Sequence, residues 1–131
     1  MNPGDELFSV EYAIHRADLA AYAAASGDNN PIHLDDTAAK AAGLPGVIAH
    51  GMYTMGLAAR AVADWAGGPA KVAALTARFA KPVPVPADSP ATVTVSGAVR
   101  KVLDDGAIEV NLTVQCDGTK VLAPARATVR I

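Results

Sequence analysis

The stretch that most limits the fold is "GMYTMGLAARAVADWA", residues 51–66, closed off by Gly67, Gly68 and Pro69. Ala, Leu and Met favour a helix, and a rod of that length runs roughly 24 Å. Arg60 and Asp64 are its only charged residues, so the rod is apolar on nearly every side. A helix of that kind is normally covered all round. The rest of the chain therefore has to supply a sheet to wrap it.

The second half reads as that sheet. Residues 71–80, 91–102, 107–116 and 119–131 all tolerate strand geometry, and 7–14 adds a first strand ahead of the helices. Alternation is clearest at Ile108, Val110, Leu112, Val114 and Cys116, with Glu109, Asn111, Thr113 and Gln115 between them. "DDG" at 104–106 and "DG" at 117–118 have the composition of hairpin turns, which makes the last three strands a meander. "KPVPVPADSP", residues 81–90, is a stiff extended connector or edge segment. Unpaired sheet edges and an apolar second sheet face point to a dimer. The predicted class is α+β, one antiparallel sheet wrapped around one long helix.

At 131 residues the chain has room for one domain, residues 1–131. The net charge is −2 and the eleven Lys and Arg residues are scattered, so the footprint of a nucleic-acid binder is missing. The first ten residues have no basic or apolar leader pattern, and no apolar run reaches the ~18 residues that span a bilayer. A cytoplasmic protein without membrane partners is expected. Cys116 is the only cysteine, which excludes an internal disulfide, and its place in an alternating apolar series predicts a buried thiol.

The first half holds the polar chemistry. Residues 17–25 predict a helix with Asp18 near its start and Gly27 as terminator, and 36–42 a short second one. Between them "SGDNNPIHLDD", Ser26 to Asp36, gathers three acids, two asparagines and a histidine. Pro31 cannot continue a helix and pushes Asn30 toward extended backbone. Asp35 and Asp36 read as helix-start acids rather than metal ligands, and Ser26 has no evident base. His15 reads as a surface residue, and Met52, Met55 and Trp65 as core.

The run "YAAASGDNNPIHLDDTAAKAAG", followed by "VIAHGM" at 47–52, resembles the signature of the MaoC-type (R)-specific enoyl-thioester hydratases. Within that family the chain looks most like the catalytic beta subunits of actinobacterial (3R)-hydroxyacyl-ACP dehydratases. "SGDNNPIH", "IAHGMYTMG" and "RFAKPVPVP" fall in the expected order and spacing. The resemblance covers essentially the whole chain. It implies a hot-dog fold, a homodimer or a heterodimer with a related hot-dog subunit, and an acyl-CoA or acyl-ACP substrate. The implied reaction is reversible addition of water to a trans-2-enoyl thioester, giving the (3R)-hydroxyacyl thioester, with no metal or organic cofactor.

That reaction needs two proton-transfer groups on one small volume and a donor for the thioester oxygen. The resemblance assigns Asp28 and His33 to the water, and an imidazole exchanges protons near neutral pH. Five positions separate them, so a turn must bring them together, and Asn30 and Pro31 are expected to support it. The Gly51 N–H, at the helix start, is the implied oxyanion donor. Asp28 also has a plain reading as a turn cap. For His50, a packed or capping role is at least as well supported as contact with substrate. Two other functions share the scaffold: a non-catalytic acyl-binding or scaffolding subunit, and a hot-dog thioesterase.

Overall fold

A computed structural model describes residues 1–131. The chain runs β1 (Glu6–Ile14), α1 (Arg16–Ser26), a 3-10 turn (Pro31–His33), α2 (Asp36–Ala41), α3 (Gly51–Ala66), a second 3-10 turn (Pro69–Lys71), β2 (Val72–Phe79), β3 (Ala91–Val102), β4 (Ile108–Cys116) and β5 (Thr119–Val129). The five strands make one antiparallel sheet in the order β1-β3-β4-β5-β2. This is the hot-dog arrangement expected from the sequence, with α3 lying against one face of the sheet.

The strand pattern decides which face is covered. Val93, Val95 and Val99 of β3 point inward with Val110, Leu112 and Val114 of β4, and all six are buried. Burying one such side chain stabilises the fold by about 1.5–3 kcal/mol. Cys116 ends this inward row, buried as predicted, and burial raises its thiol pKa. Cys116 pairs with Thr119 across the residues Asp117 and Gly118, both with positive φ, 50° and 77°. Two successive left-handed residues are what a type I′ hairpin demands, and Asp-Gly meets that demand at low cost.

Two expectations fail. The outer sheet face is not apolar: Thr92, Thr94, Ser96, Asn111, Thr113 and Gln115 populate it. Nor is α3 covered on all sides, since only Thr54, Ala58, Ala61 and Val62 are buried. Alanines had blurred the amphipathic stripe, being equally compatible with a core and with a surface. Met52 lies at 59% exposure instead of in the core, whereas Trp65 packs against Phe8 at a ring separation of 6.0 Å. His15 is exposed, as predicted.

An ion pair brings the helices and loops into register. Arg16, the first residue of α1, donates from Nη2 to Asp36 Oδ1 at 2.9 Å and from Nε to the Val85 carbonyl at 2.6 Å. Asp36 Oδ1 also accepts from the Val47 N–H at 2.9 Å. One pair of side chains thus ties α1, α2, the loop before α3 and the proline-rich connector. That connector is not a free linker: Pro84 bridges Ile48, and Val83 and Val85 are buried.

Candidate active site

Local chemistry shapes the loop after α1. Gly27 ends the helix in the left-handed region at φ 79°, its N–H donating to the Ala23 carbonyl. Asp28 then accepts from the Asn30 N–H through Oδ1 at 3.2 Å, and Asn30 in turn accepts from the Ile32 N–H through its own Oδ1 at 3.2 Å. Pro31 opens the 3-10 turn that Asn30 caps. These interlocking side-chain turns replace a regular helix and bring His33 back toward Asp28. Asp28 is therefore a cap through one oxygen, and its other oxygen, Oδ2, meets no protein donor.

His33 is buried, and its ring is oriented by a bond at 2.8 Å between Nδ1 and the Ile48 carbonyl. A carbonyl oxygen only accepts, so Nδ1 must carry the hydrogen. Neutral His33 therefore keeps its lone pair on Nε2. His50, the residue before α3, stacks on it with ring centroids 3.9 Å apart and planes 25° from parallel. By the same logic His50 Nε2–H donates to the Asp28 main-chain carbonyl at 3.1 Å.

The carboxylate of Asp28 and ring nitrogens of His33 and His50 come within 4.8 Å of one another. A metal ion needs donor lone pairs that converge on one point. His50 Nε2 is engaged by the Asp28 carbonyl and so carries hydrogen, which removes that nitrogen as a ligand. Asp35 belongs to a different task, capping α2 by accepting from the Thr37 N–H, and Asp36 is held by Arg16 and Val47.

A cavity of about 290 Å³ opens beside this group, with His33, Gly51, Thr54, Phe79, Lys81 and Leu122 among its lining residues. Its volume falls at the small end for ligand sites. Asp28 is not on its wall, but its exposed carboxylate lies within 4.8 Å of a His33 ring nitrogen. The Gly51 N–H has no backbone acceptor, and α3 directs the positive end of its dipole here. A β-carbon at Gly51 would lie 3.0 Å from Phe79 Cε1, so the missing side chain is what lets the phenyl ring close over the helix tip. Phe79 and Lys81 went unassigned from sequence because their place on the wall depends on β2 pairing with β5, which brings Phe79 opposite Leu122.

A five-stranded hot-dog sheet, one helix tip and a carboxylate-imidazole group beside a cavity define a site equipped for proton transfer. The chain matches the family described as MaoC like domain over residues 2–117, and it belongs to that family. It is similar to 3-hydroxyacyl-thioester dehydratase Y of Mycobacterium tuberculosis, 40% identical over 114 residues that cover 72% of this chain and 39% of that protein. Dehydratase X of the same organism is 46% identical over 71 residues, 54% of this chain and 24% of that one. This chain therefore spans less than half the length of either mycobacterial relative. A solved MaoC-like dehydratase superimposes with a TM-score of 0.96 at 38% identity, over 100% of this chain and 41% of the other. The (R)-hydratase PhaJ1 of Pseudomonas aeruginosa does so at 0.82 and 28% identity, over 98% of this chain and 81% of its own. Relatives named as dehydratases and hydratases of this kind are hydro-lyases. No helix here is long and apolar enough to cross a membrane.

Proposed function

We propose that this chain is a hydro-lyase domain of fatty-acid metabolism that interconverts (3R)-3-hydroxyacyl and trans-2-enoyl thioesters, carried on CoA or ACP. One observation carries the reading: His33, with its lone pair on Nε2, and the unpaired Gly51 N–H line the same cavity, with the Asp28 carboxylate beside the imidazole. The family membership supports it, and so do the names of the relatives.

In the hydration direction the enoyl carbonyl accepts from Gly51 N–H, which draws electron density toward oxygen and leaves C3 electrophilic. Water held between Asp28 Oδ2 and His33 Nε2 adds its oxygen to C3 while its proton passes to that pair. The enolate so formed is stabilised at the helix tip, and the same proton returns to C2. One water is consumed and the catalytic groups end as they began. Neither a redox step nor a resident metal enters the balance.

Two further assignments go with this reading. The chain works as a single domain, residues 1–131, and pairs with a second hot-dog unit, identical or related. β2 supports that pairing: it is an edge strand, with Val72, Leu75 and Ala77 only partly buried against the core, and it ends in Phe79 at 53% exposure. Hydration of crotonyl-CoA, followed by loss of the enoyl absorbance, tests the activity. Assays of the chain alone and after co-expression with a neighbouring hot-dog gene product separate a catalytic domain from a scaffold. Turnover by neither would refute the enzyme, and thiol release from a saturated acyl-CoA would point to a thioesterase.

A further inference from the structure

His50 precedes α3, yet its side chain makes no capping bond. Its ring is only 2% exposed, clasped between the face of His33 and the edge-on ring of Tyr22 from α1, whose centroid is 4.7 Å away. Nδ1 has no partner at all. A buried, unsatisfied nitrogen is a cost that a phenyl ring of similar shape would avoid. Packing alone therefore gives no reason for a histidine here.

The other nitrogen supplies one. Across residues 27–30 every hydrogen bond is local except that from His50 Nε2–H to the Asp28 carbonyl, which links positions 22 residues apart. Asp28 is otherwise exposed and held only by its neighbours Ser26 and Asn30. One side chain thus grips the backbone of the carboxylate residue and the flat of the imidazole, and the next residue is Gly51.

We infer that His50 is a positioning residue: it sets the ring plane of His33 by stacking, and through the Asp28 carbonyl it sets the separation of carboxylate and imidazole. The inference rests on the reading of Asp28 and His33 as the proton-handling pair. It assigns His50 no contact with the reacting atoms. Because misplacement of a catalytic group by about 1 Å can cost about 10²-fold, the effect falls on turnover rather than on substrate affinity.

Three variants separate the contributions. His50→Phe keeps a flat ring against His33 and loses the donor, His50→Gln keeps a planar donor, and His50→Leu keeps neither. For His50→Phe we expect kcat for crotonyl-CoA hydration to fall about 10²-fold with KM nearly unchanged, and His50→Gln to recover most of the loss. Backbone NMR order parameters at Asp28, Asn29 and Asn30 give a readout that does not depend on turnover: rigid in the wild type and in His50→Gln, mobile in His50→Phe. Should His50→Phe fail to fold, His50→Leu carries the same two measurements. Wild-type kcat in the donor-free variant, or unchanged order at residues 28–30, overturns the inference. If the wild type hydrates no enoyl thioester while residues 28–30 still loosen in His50→Phe, the positioning role stands and the proposed reaction falls.

Discussion

His33 donates its Nδ1–H to the carbonyl of Ile48 at 2.8 Å, and this bond dictates which nitrogen is available for chemistry. Because the acceptor is a main-chain oxygen of the loop leading into α3, the tautomer is set by the fold and not by the substrate. His33→Ala should lower kcat by about 10²–10⁴-fold, the usual contribution of a positioned acid-base group. Long-range proton-nitrogen NMR on the wild type should find the hydrogen on Nδ1. A hydrogen on Nε2 in the free protein would contradict the assigned role.

Asp28 performs two tasks with two oxygens, and they can be separated. Asp28→Asn retains an oxygen able to accept from the Asn30 N–H, so the turn persists while the negative charge is lost. Turnover should fall by about 10²-fold or more with the melting temperature unchanged. Asp28→Ala should match that loss and in addition lower the melting temperature, since the turn bond goes too. Equal activity in Asp28→Asn and the wild type would leave Asp28 as a cap alone.

At the helix tip, paired substitutions distinguish sterics from hydrogen bonding. Gly51→Ala places a β-carbon 3.0 Å from Phe79 Cε1, so the exposed phenyl must give way and KM should rise. Gly51→Pro does the same and also deletes the N–H. His50 at φ −59° and ψ 134° already has the backbone that precedes proline, and the first helical position accepts it. The proline variant should lose about 3 kcal/mol more in transition-state stabilisation than the alanine one, read from kcat/KM. Equal losses in the two variants would show that the N–H is not used.

Acid stability should depend on Asp36. The Val47 N–H foremost, and then Arg16, hold its carboxyl pKa below the ordinary carboxylate value. A depressed folded-state pKa contributes stability that is complete above the ordinary value and is lost as the pH falls through the folded one. Asp36→Asn should therefore flatten the decline in thermal midpoint below about pH 4, the range in which unperturbed carboxylates titrate. Parallel curves for the two proteins across that range would exclude Asp36 as the acid-sensitive link.

Gly97, in the middle of β3, is needed for space. A β-carbon there would come within 2.5 Å of Phe8 Cε1 and 3.0 Å of Val110 Cγ1. Gly97→Ala should destabilise the protein by about 1–3 kcal/mol, the range for overpacked cores, measured by urea denaturation. A neutral result would mean that Phe8 can swing aside with its partner Trp65.

Much of this architecture was legible in the residues. The ends of α3 followed from Gly51 and the Gly-Gly-Pro stop, and the β4–β5 hairpin from Asp-Gly, because backbone restriction is local chemistry. The closeness of Asp28 and His33 was also foreseeable, since a proline-stiffened turn leaves few alternatives. Burial was less so. An alanine-rich helix does not announce its inner side, and strand alternation alone does not say whether the outer face meets water or a second body. His50 was the hardest to place: its neighbours in space, Tyr22, Asp28 and His33, lie on elements 17 to 28 positions upstream, and no spacing rule connects them.

The threonines, serine, asparagine and glutamine on the outside of β3 and β4 have a consequence for architecture on a larger scale. That flank is already suited to water, so a second body gains little by lying flat upon it. The rim differs, because β1 and β2 each leave one row of main-chain donors and acceptors without a neighbouring strand. A ribbon of this kind can be lengthened at its edges more readily than it can be stacked on that polar side.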